Sequence, residues 1–337
     1  MPFPDLIQPL LDQRDLTEDQ AADLMAWLLN GEALESQIGA TLAALKIKGV
    51  TPTELAAFAK VLRVNAKSVD LGEGIVDTCG TGGGLHTFNI STAAAFVAAG
   101  SGVKMAKHGN RAVTSKCGSA DVLEALGVKL QDDLDKLKRI FHEAGIVFMF
   151  APVHHPGMRY VGKTRRELGF RSVFNQLGPL ANPAGAKRQL LGVFEPDMVE
   201  PMAQALAKLG VERGVVVHGD DGLDEISPCV GTRAGFVMNG EVRITSLSPA
   251  DFGLDTLSSG ALDSGADPAE NADILRVAIS DVDSQRAKAI LPTAAATIWL
   301  SGIAEDLAQA KDIAVESIAS GKALGKLGAF VEASARA

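Results

Sequence analysis

Near Gly74 the hydrophobic pattern of this 337-residue chain changes period, and that change limits the folds open to it. Upstream, apolar residues recur at helical spacing. Thr17-Glu18-Asp19-Gln20 is a capping box, and Leu24, Trp27 and Leu28 then fall on one face. A second helix is expected from Ala33 to Leu45. A third opens at Thr51, with Pro52 preset for the first turn and Glu54 closing another box. No strand is expected before Gly74. Downstream, short apolar runs alternate with helical segments. Strands are expected over 75–79, 103–106, 146–150, 190–194 and 215–217. Helices are expected over 92–99, from Ser119 as N-cap to Gly127, over 133–144 and over 197–209. Such alternation indicates an α/β domain with a mostly parallel central sheet. A strand pair near 235–244 and helices over 284–333 complete the chain. The expected organisation is therefore a small N-terminal helical domain, residues 1–70, and a larger α/β domain, residues 71–337.

Residues 151–183 fit neither pattern. They carry Pro152, Pro156, Pro179 and Pro183, the pair His154-His155 and the basic cluster Lys163, Arg165 and Arg166. An irregular excursion in a parallel α/β protein usually lies over the carboxyl ends of the strands, where ligands bind. This one is expected to pack back on the N-terminal helices as a hinge. His154 and His155 are expected to line a pocket rather than hold a metal, since no third ligand accompanies them. Of the adjacent Arg165 and Arg166, one is expected to face the cleft and the other a surface carboxylate such as Glu167.

Composition removes several classes of function. A net charge of -9 argues against a general nucleic-acid binder, which needs many cations for phosphates. Cys79, Cys117 and Cys229 form neither a disulfide framework nor a zinc pattern, which points to a reducing compartment. The N-terminus carries no secretory pattern, and no apolar run approaches the roughly 20 residues that span a bilayer. A cytoplasmic location without membrane attachment is expected.

Four segments carry chemistry. Asp77-Thr78-Cys79-Gly80-Thr81-Gly82-Gly83-Gly84 follows a strand and leads to a helix. Glycines bring backbone N–H groups close to a ligand, and a helix N-terminus adds donors and partial positive charge, so phosphate or pyrophosphate is the natural ligand. A purely structural turn competes with that reading. The segment is neither a Walker A loop nor a good dinucleotide fingerprint. Asn89-Ile90-Ser91-Thr92 at the helix start offers more polar groups than one cap requires, and Ser91 suits phosphate or Mg²⁺. Lys107-His108-Gly109-Asn110-Arg111 runs on through Ala112, Val113, Thr114, Ser115 and Lys116 to Ser119. Its cations and hydroxyls suit a polyanion, with a solvated basic loop as the alternative. Finally, His218-Gly219-Asp220-Asp221-Gly222-Leu223-Asp224-Glu225 packs four carboxylates into six residues. That is either a solvated turn or, beside a phosphate site, a Mg²⁺ site through Asp224 and Glu225, with Asp220 and Asp221 shaping the turn.

In this order the segments resemble the anthranilate phosphoribosyltransferase family. Gly80-Thr81-Gly82-Gly83, Thr87-Phe88-Asn89-Ile90-Ser91-Thr92, Lys107-His108-Gly109-Asn110-Arg111 and Asp224-Glu225 match its signatures. So do Phe150-Ala151-Pro152 with His154-His155-Pro156, Arg165-Arg166-Glu167-Leu168-Gly169, and the run from Phe174 to Pro183. The resemblance implies a nucleoside phosphorylase-like phosphoribosyltransferase fold, a homodimer, and an active site between the two domains. It implies transfer of a 5-phosphoribosyl group from phosphoribosyl pyrophosphate (PRPP) to the amine of anthranilate in tryptophan biosynthesis. Carried over by position, Gly80, Gly83, Gly84, Thr87, Asn89, Ile90, Ser91, Thr92, Lys107 to Ser115 and Ser119 hold PRPP. Gly80, Asn110 and Arg165 contact anthranilate, while Ser91, Asp224 and Glu225 hold Mg²⁺, about two ions per subunit. One departure stands out. The family pattern continues Gly-Thr-Gly-Gly-Asp-Gly, whereas Gly83 is followed here by Gly84-Leu85-His86-Thr87, one residue shorter and without the Asp. That loss bears on PRPP affinity or metal dependence. The rival readings are a pyrimidine nucleoside phosphorylase or a transferase with another acceptor, and a non-enzymatic nucleic-acid-binding paralogue. Asp224-Glu225, Asn110 and Arg165 favour PRPP over free phosphate, and the acidic chain disfavours nucleic acid.

Overall fold

The computed structural model describes residues 2–112 and 116–337. Four helices come first: α1 (Phe3–Leu11), α2 (Glu18–Leu29), α3 (Glu35–Lys48) and α4 (Pro52–Val64). Both expected capping boxes are present. Thr17 and Thr51 accept from the backbone of Gln20 and Glu54, whose side chains reach back. Glu54 does more than cap. Fully buried, it also accepts from the Leu16 backbone and pairs with Lys48 at 3.0 Å, tying α3, α4 and the approach to α2 together.

The α/β part follows as β1 (Val76–Gly80), α5 (Ile90–Gly100), β2 (Met105–Gly109), α6 (Ser119–Ala125), α7 (Leu134–Ala144) and β3 (Ile146–Phe150). Three helices, α8 (Ala151–His154), α9 (Met158–Leu168) and α10 (Phe174–Leu180), then lead to β4 (Arg188–Gly192), α11 (Val199–Lys208) and β5 (Arg213–Gly219). The hairpin β6 (Thr232–Met238) and β7 (Glu241–Leu247) closes one sheet edge. Then come α12 (Pro268–Ser280), α13 (Gln285–Ser301), α14 (Leu307–Ala319) and α15 (Lys322–Arg336).

The sheet order is β3-β2-β1-β4-β5-β6-β7, parallel from β3 to β5 and antiparallel beyond. The expected mostly parallel sheet is therefore present. The chain leaves β1 toward β2 and β3 on one side and returns to β4 on the other. The carboxyl ends of β1 and β4 thus form a topological switch point, where open α/β sheets bind ligands.

Alternate strand residues serve two layers. Leu190, Val215 and Val217 face the core built on α5, α13 and α15, while Leu191, Val193 and Val216 face α11 and the N-terminal helices. Helix α5 is rich in alanine and buried nearly all round, because the sheet covers one side and α13 and α15 the other. Small side chains permit that approach.

Three expectations need correction. Residues 151–183 are three short helices rather than an irregular stretch. Pro152 sits in the first turn of α8, where its missing N–H has no partner to lose, and Pro179 is absorbed near the end of α10. Helix α9 packs on α2 and α3, and α10 on α4. Helix α12 lay outside the expected elements although Asp267 caps it and Pro268 opens it. Ser119 is the first residue of α6, with Gly118 at the cap position. No helix among the described residues is long and apolar enough to cross a membrane.

Candidate active site

The four motif segments meet in one open cleft of about 380 Å³ at the β1/β4 switch point. The glycine-rich loop leaves β1 and crosses the cleft floor. Its glycines serve different needs. Gly83 adopts φ +87°, a left-handed conformation that suits glycine, and donor and acceptor contacts hold the loop on both flanks. Gly82 N–H donates to Asp224 Oδ2 at 3.0 Å, Leu85 N–H donates to Gly222 at 3.3 Å, and Arg171 Nη2 donates to the Gly83 carbonyl at 2.7 Å. Gly80 instead leaves room for Asp224, because a Cβ there would stand 2.6 Å from Asp224 Oδ2.

Helix α5 begins at Ile90 and points its N-terminus into the cleft. Asn89 occupies the cap position without a side-chain capping bond. Its Nδ2 donates to the Cys117 carbonyl at 3.1 Å, which joins this loop to the next one. Asn89 Oδ1 and Thr92 Oγ1 are buried with no hydrogen-bond partner among the described residues. Both residues line the cleft, so these atoms are available to a ligand there.

Lys107, on β2, is 3% exposed. Its ammonium donates to the Thr78 carbonyl and, at 3.1 Å, to Ser91 Oγ, so it is fixed beside the start of α5. Arg111 behaves differently. It spans Asp121 and Glu124 of α6, and it lies 5.6 Å above the Phe150 ring. His108, Gly109, Asn110, Ala112 and Ser119 also line the cleft, with Ser119 Oγ donating to the Asn110 carbonyl at 3.2 Å. Val113, Thr114 and Ser115 lie outside the described residues.

Asp224 and Glu225 follow β5. Asp221 shapes the turn before them by accepting from Leu223 N–H and the Ser227 hydroxyl. Burial pushes the Glu225 carboxyl up to about 8, and neighbouring Asp224 adds to the effect. Burial also raises Asp224. Neither carboxylate forms an ion pair among the described residues, and Glu225 accepts a 3.3 Å bond from Thr293. No cluster of three or more His, Cys, Asp or Glu among the described residues would hold a metal alone. Two under-compensated carboxylates beside a hydroxyl and an anion cradle do fit Mg²⁺, which takes a few protein oxygens and completes its shell with phosphate and water.

Arg165, on α9, reaches the opposite wall, stacked 5.0 Å from the Phe174 ring. Burial lowers its pKa, and no carboxylate pairs with it among the described residues. Arg166 is exposed, and Glu167 approaches Lys163 at 3.9 Å instead. His154 and His155 do not line the cleft. Both are buried behind it, His154 Nδ1 bonding the Lys67 carbonyl at 2.6 Å and His155 meeting His108 edge to face. Sequence reasoning missed Arg171 and Gly192 altogether. Arg171 belongs to no charge pattern, although Gly192 ends a strand as Gly80 does and so carried a signal.

Fold and site together define a glycosyl transferase built from a helical bundle and an α/β domain. Residues 4–66 match the family model for the glycosyl transferase helical bundle domain, and residues 72–324 that for the a/b domain. The chain is 47% identical over 335 residues to the anthranilate phosphoribosyltransferase of Myxococcus xanthus, covering 98% of this chain and 99% of that one. Among solved structures, the anthranilate phosphoribosyltransferase of Thermus thermophilus superposes with a TM-score of 0.92 at 40% identity, covering 99% and 100% of the two chains. That of Saccharomyces cerevisiae, in complex with PRPP and Mg, superposes with a TM-score of 0.89 at 29% identity, covering 99% and 98%. The chain belongs to the anthranilate phosphoribosyltransferase family.

Proposed function

We infer that the chain transfers the 5-phosphoribosyl group from PRPP to the amine of anthranilate, giving N-(5-phosphoribosyl)anthranilate and pyrophosphate in tryptophan biosynthesis. One observation carries the reading at the level of residues. A glycine-rich loop, a helix N-terminus, the buried Lys107 and a buried carboxylate pair share one cleft with Arg165, a cation that has no carboxylate of its own among the described residues.

PRPP is held by Gly80, Gly83, Gly84, Thr87, Asn89 to Thr92, Lys107 to Ser115 and Ser119. Ser91, Asp224 and Glu225 would hold Mg²⁺, about two ions per subunit. Bound Mg²⁺ supplies positive charge that stabilises the departing pyrophosphate. The chain's own residues do the rest. Lys107 and the backbone donors at the start of α5 stabilise the same developing anion, the Thr92 hydroxyl donates to a phosphate oxygen, and Asn89 Oδ1 accepts from a ribose hydroxyl. Arg165 grips the anthranilate carboxylate, with Gly80 and Asn110 beside it, so that the amine is directed at C1 of the ribose. An aromatic amine is weakly basic and carries its lone pair free at neutral pH, so no strong general base is needed. Glu225 is committed to the metal side of the cleft. The same reading puts the protein in the cytoplasm as a homodimer.

The test is loss of anthranilate fluorescence on incubation with PRPP and Mg²⁺. Turnover is expected, with none when PRPP is replaced by phosphate and a pyrimidine nucleoside. Phosphorolysis without anthranilate consumption would overturn the assignment.

A further inference from the structure

Arg171 lies between α9 and α10, in the segment that packs with the N-terminal helices, yet its side chain reaches the glycine-rich loop of the sheet. Two contacts define its place, and a third fastens the ring beneath it. The guanidinium lies 4.3 Å above the Phe194 ring, just beyond β4. Its Nη2 donates to the Gly83 carbonyl at 2.7 Å. Phe194, beneath it, donates its own N–H to Thr81 Oγ1 at 3.1 Å, so the platform is fastened to the loop that the arginine holds. A Cβ on Gly83 would overlap the guanidinium, which shows how closely the two are fitted. The opposite flank of the loop is held by Gly222 and Asp224. The segment from Thr81 to Leu85 is thus clamped from two sides, and among the described residues only Arg171 bonds it from the helical side.

A planar guanidinium can lie flat on an aromatic ring while donating in its plane, which a lysine ammonium cannot reproduce. Among the described residues Arg171 makes no direct ion pair, and its charge reaches the Asp224 carboxylate only at longer range, so a salt bridge does not account for its position. We propose that Arg171 is a positioning residue that fixes the glycine-rich loop in its phosphate-accepting shape and couples that shape to the seating of the α9–α10 segment. The proposal rests on the reading of the cleft as a PRPP site.

Full-length Arg171→Ala, Arg171→Lys and Phe194→Leu are compared with the unaltered chain by amide exchange, by calorimetry with PRPP and Mg²⁺ in the absence of anthranilate, and by steady-state kinetics. Before any ligand is added, exchange at the Gly82 and Leu85 amides is expected to accelerate in all three variants. PRPP affinity is expected to fall about tenfold in Arg171→Ala, with Arg171→Lys close to it, while the anthranilate KM moves by less than about twofold. Unchanged protection at Gly82 and Leu85 overturns the proposal. So does full recovery by lysine, which would leave charge as the whole effect, or an equal weakening of both substrates. If the unaltered chain does not bind PRPP, the functional reading fails separately, and the exchange measurement still decides whether Arg171 holds the loop.

Discussion

Gly80 and Gly192 stand opposite each other at the last register position of β1 and β4, and Asp224 rests against both. A side chain on Gly192 would overlap the Asp224 carbonyl, and one on Gly80 would press on its carboxylate. The paired glycines therefore form the seat on which the acidic pair is carried into the cleft. Gly192→Ala is expected to displace Asp224 and Glu225 at a stability cost of about 1–3 kcal/mol, the usual range for overpacking. Activity should fall at least about tenfold, with half-saturation by Mg²⁺ shifted upward. Thermal melts alongside a Mg²⁺ titration of turnover check this, and an unaltered titration curve would remove the role given to the seat.

Arg165 offers a sharper kinetic signature. Because its guanidinium stacks on Phe174 and lacks a carboxylate partner among the described residues, its loss should be felt by the acceptor alone. Arg165→Ala is expected to raise the anthranilate KM by about a hundredfold, the worth of a charge-assisted hydrogen-bond pair, and the PRPP KM by far less. Equal effects on both constants, measured by varying each substrate in turn, would reject the assignment.

The carboxylate pair predicts a pH dependence with a definite sign. Glu225 holds its proton up to about pH 8 in the metal-free chain, and that proton must leave before a cation enters. Apparent Mg²⁺ affinity should therefore strengthen as pH rises toward 8, by up to about tenfold per unit, and level off above it. Titrations of activity at several pH values test this. Asp224→Asn combined with Glu225→Gln should weaken the Mg²⁺ dependence and flatten its pH profile.

Acid stability rests on three buried histidines, His108 in the cleft lining and His154 and His155 behind it. Burial lowers all three of His108, His154 and His155, with His155 brought down to about 4. Above the ordinary histidine value of 6.5 the folded and unfolded states bind the same number of protons there, so nothing is lost. As pH falls below that value the unfolded chain takes up protons that the folded chain refuses, and stability declines by roughly 1.4 kcal/mol per unit for each fully depressed group. For His155 the loss runs on down to about pH 4. His155→Phe should make the melting temperature less sensitive between pH 6.5 and 4. An identical acid slope in the variant would exclude His155 as a contributor.

Strands β3 and β5 were legible because they are buried on both faces and carry the apolar runs Ile146–Phe150 and Val215–Val217, whereas β1 and β2 mix apolar residues with Asp77, Thr78, Lys107 and His108. The expected strands at 75–79 and 190–194 differ from β1 and β4 by one and two residues. The capping boxes at Thr17 and Thr51 were legible because each is a local bond pattern complete within four residues. Segment 151–183 was misread because proline ordinarily breaks helices, and only the fold shows Pro152 at a first turn. Arg171 had no local signal at all, since its meaning depends on Phe194 and Gly83, which are remote in sequence. Arg111 was readable as a cation but not as one spanning Asp121 and Glu124, because that depends on where α6 lies.

The shared core of the N-terminal helices with α11, Leu191 and Val193 has a consequence for synthesis on the ribosome. Helices α1 to α4 emerge long before the strand and helix that cover them, a wait of roughly ten seconds at ordinary translation rates. During that interval α4 has α2 to pack on but lacks the cover that α10 and α11 later supply. The final docking of the bundle must therefore follow translation of α11.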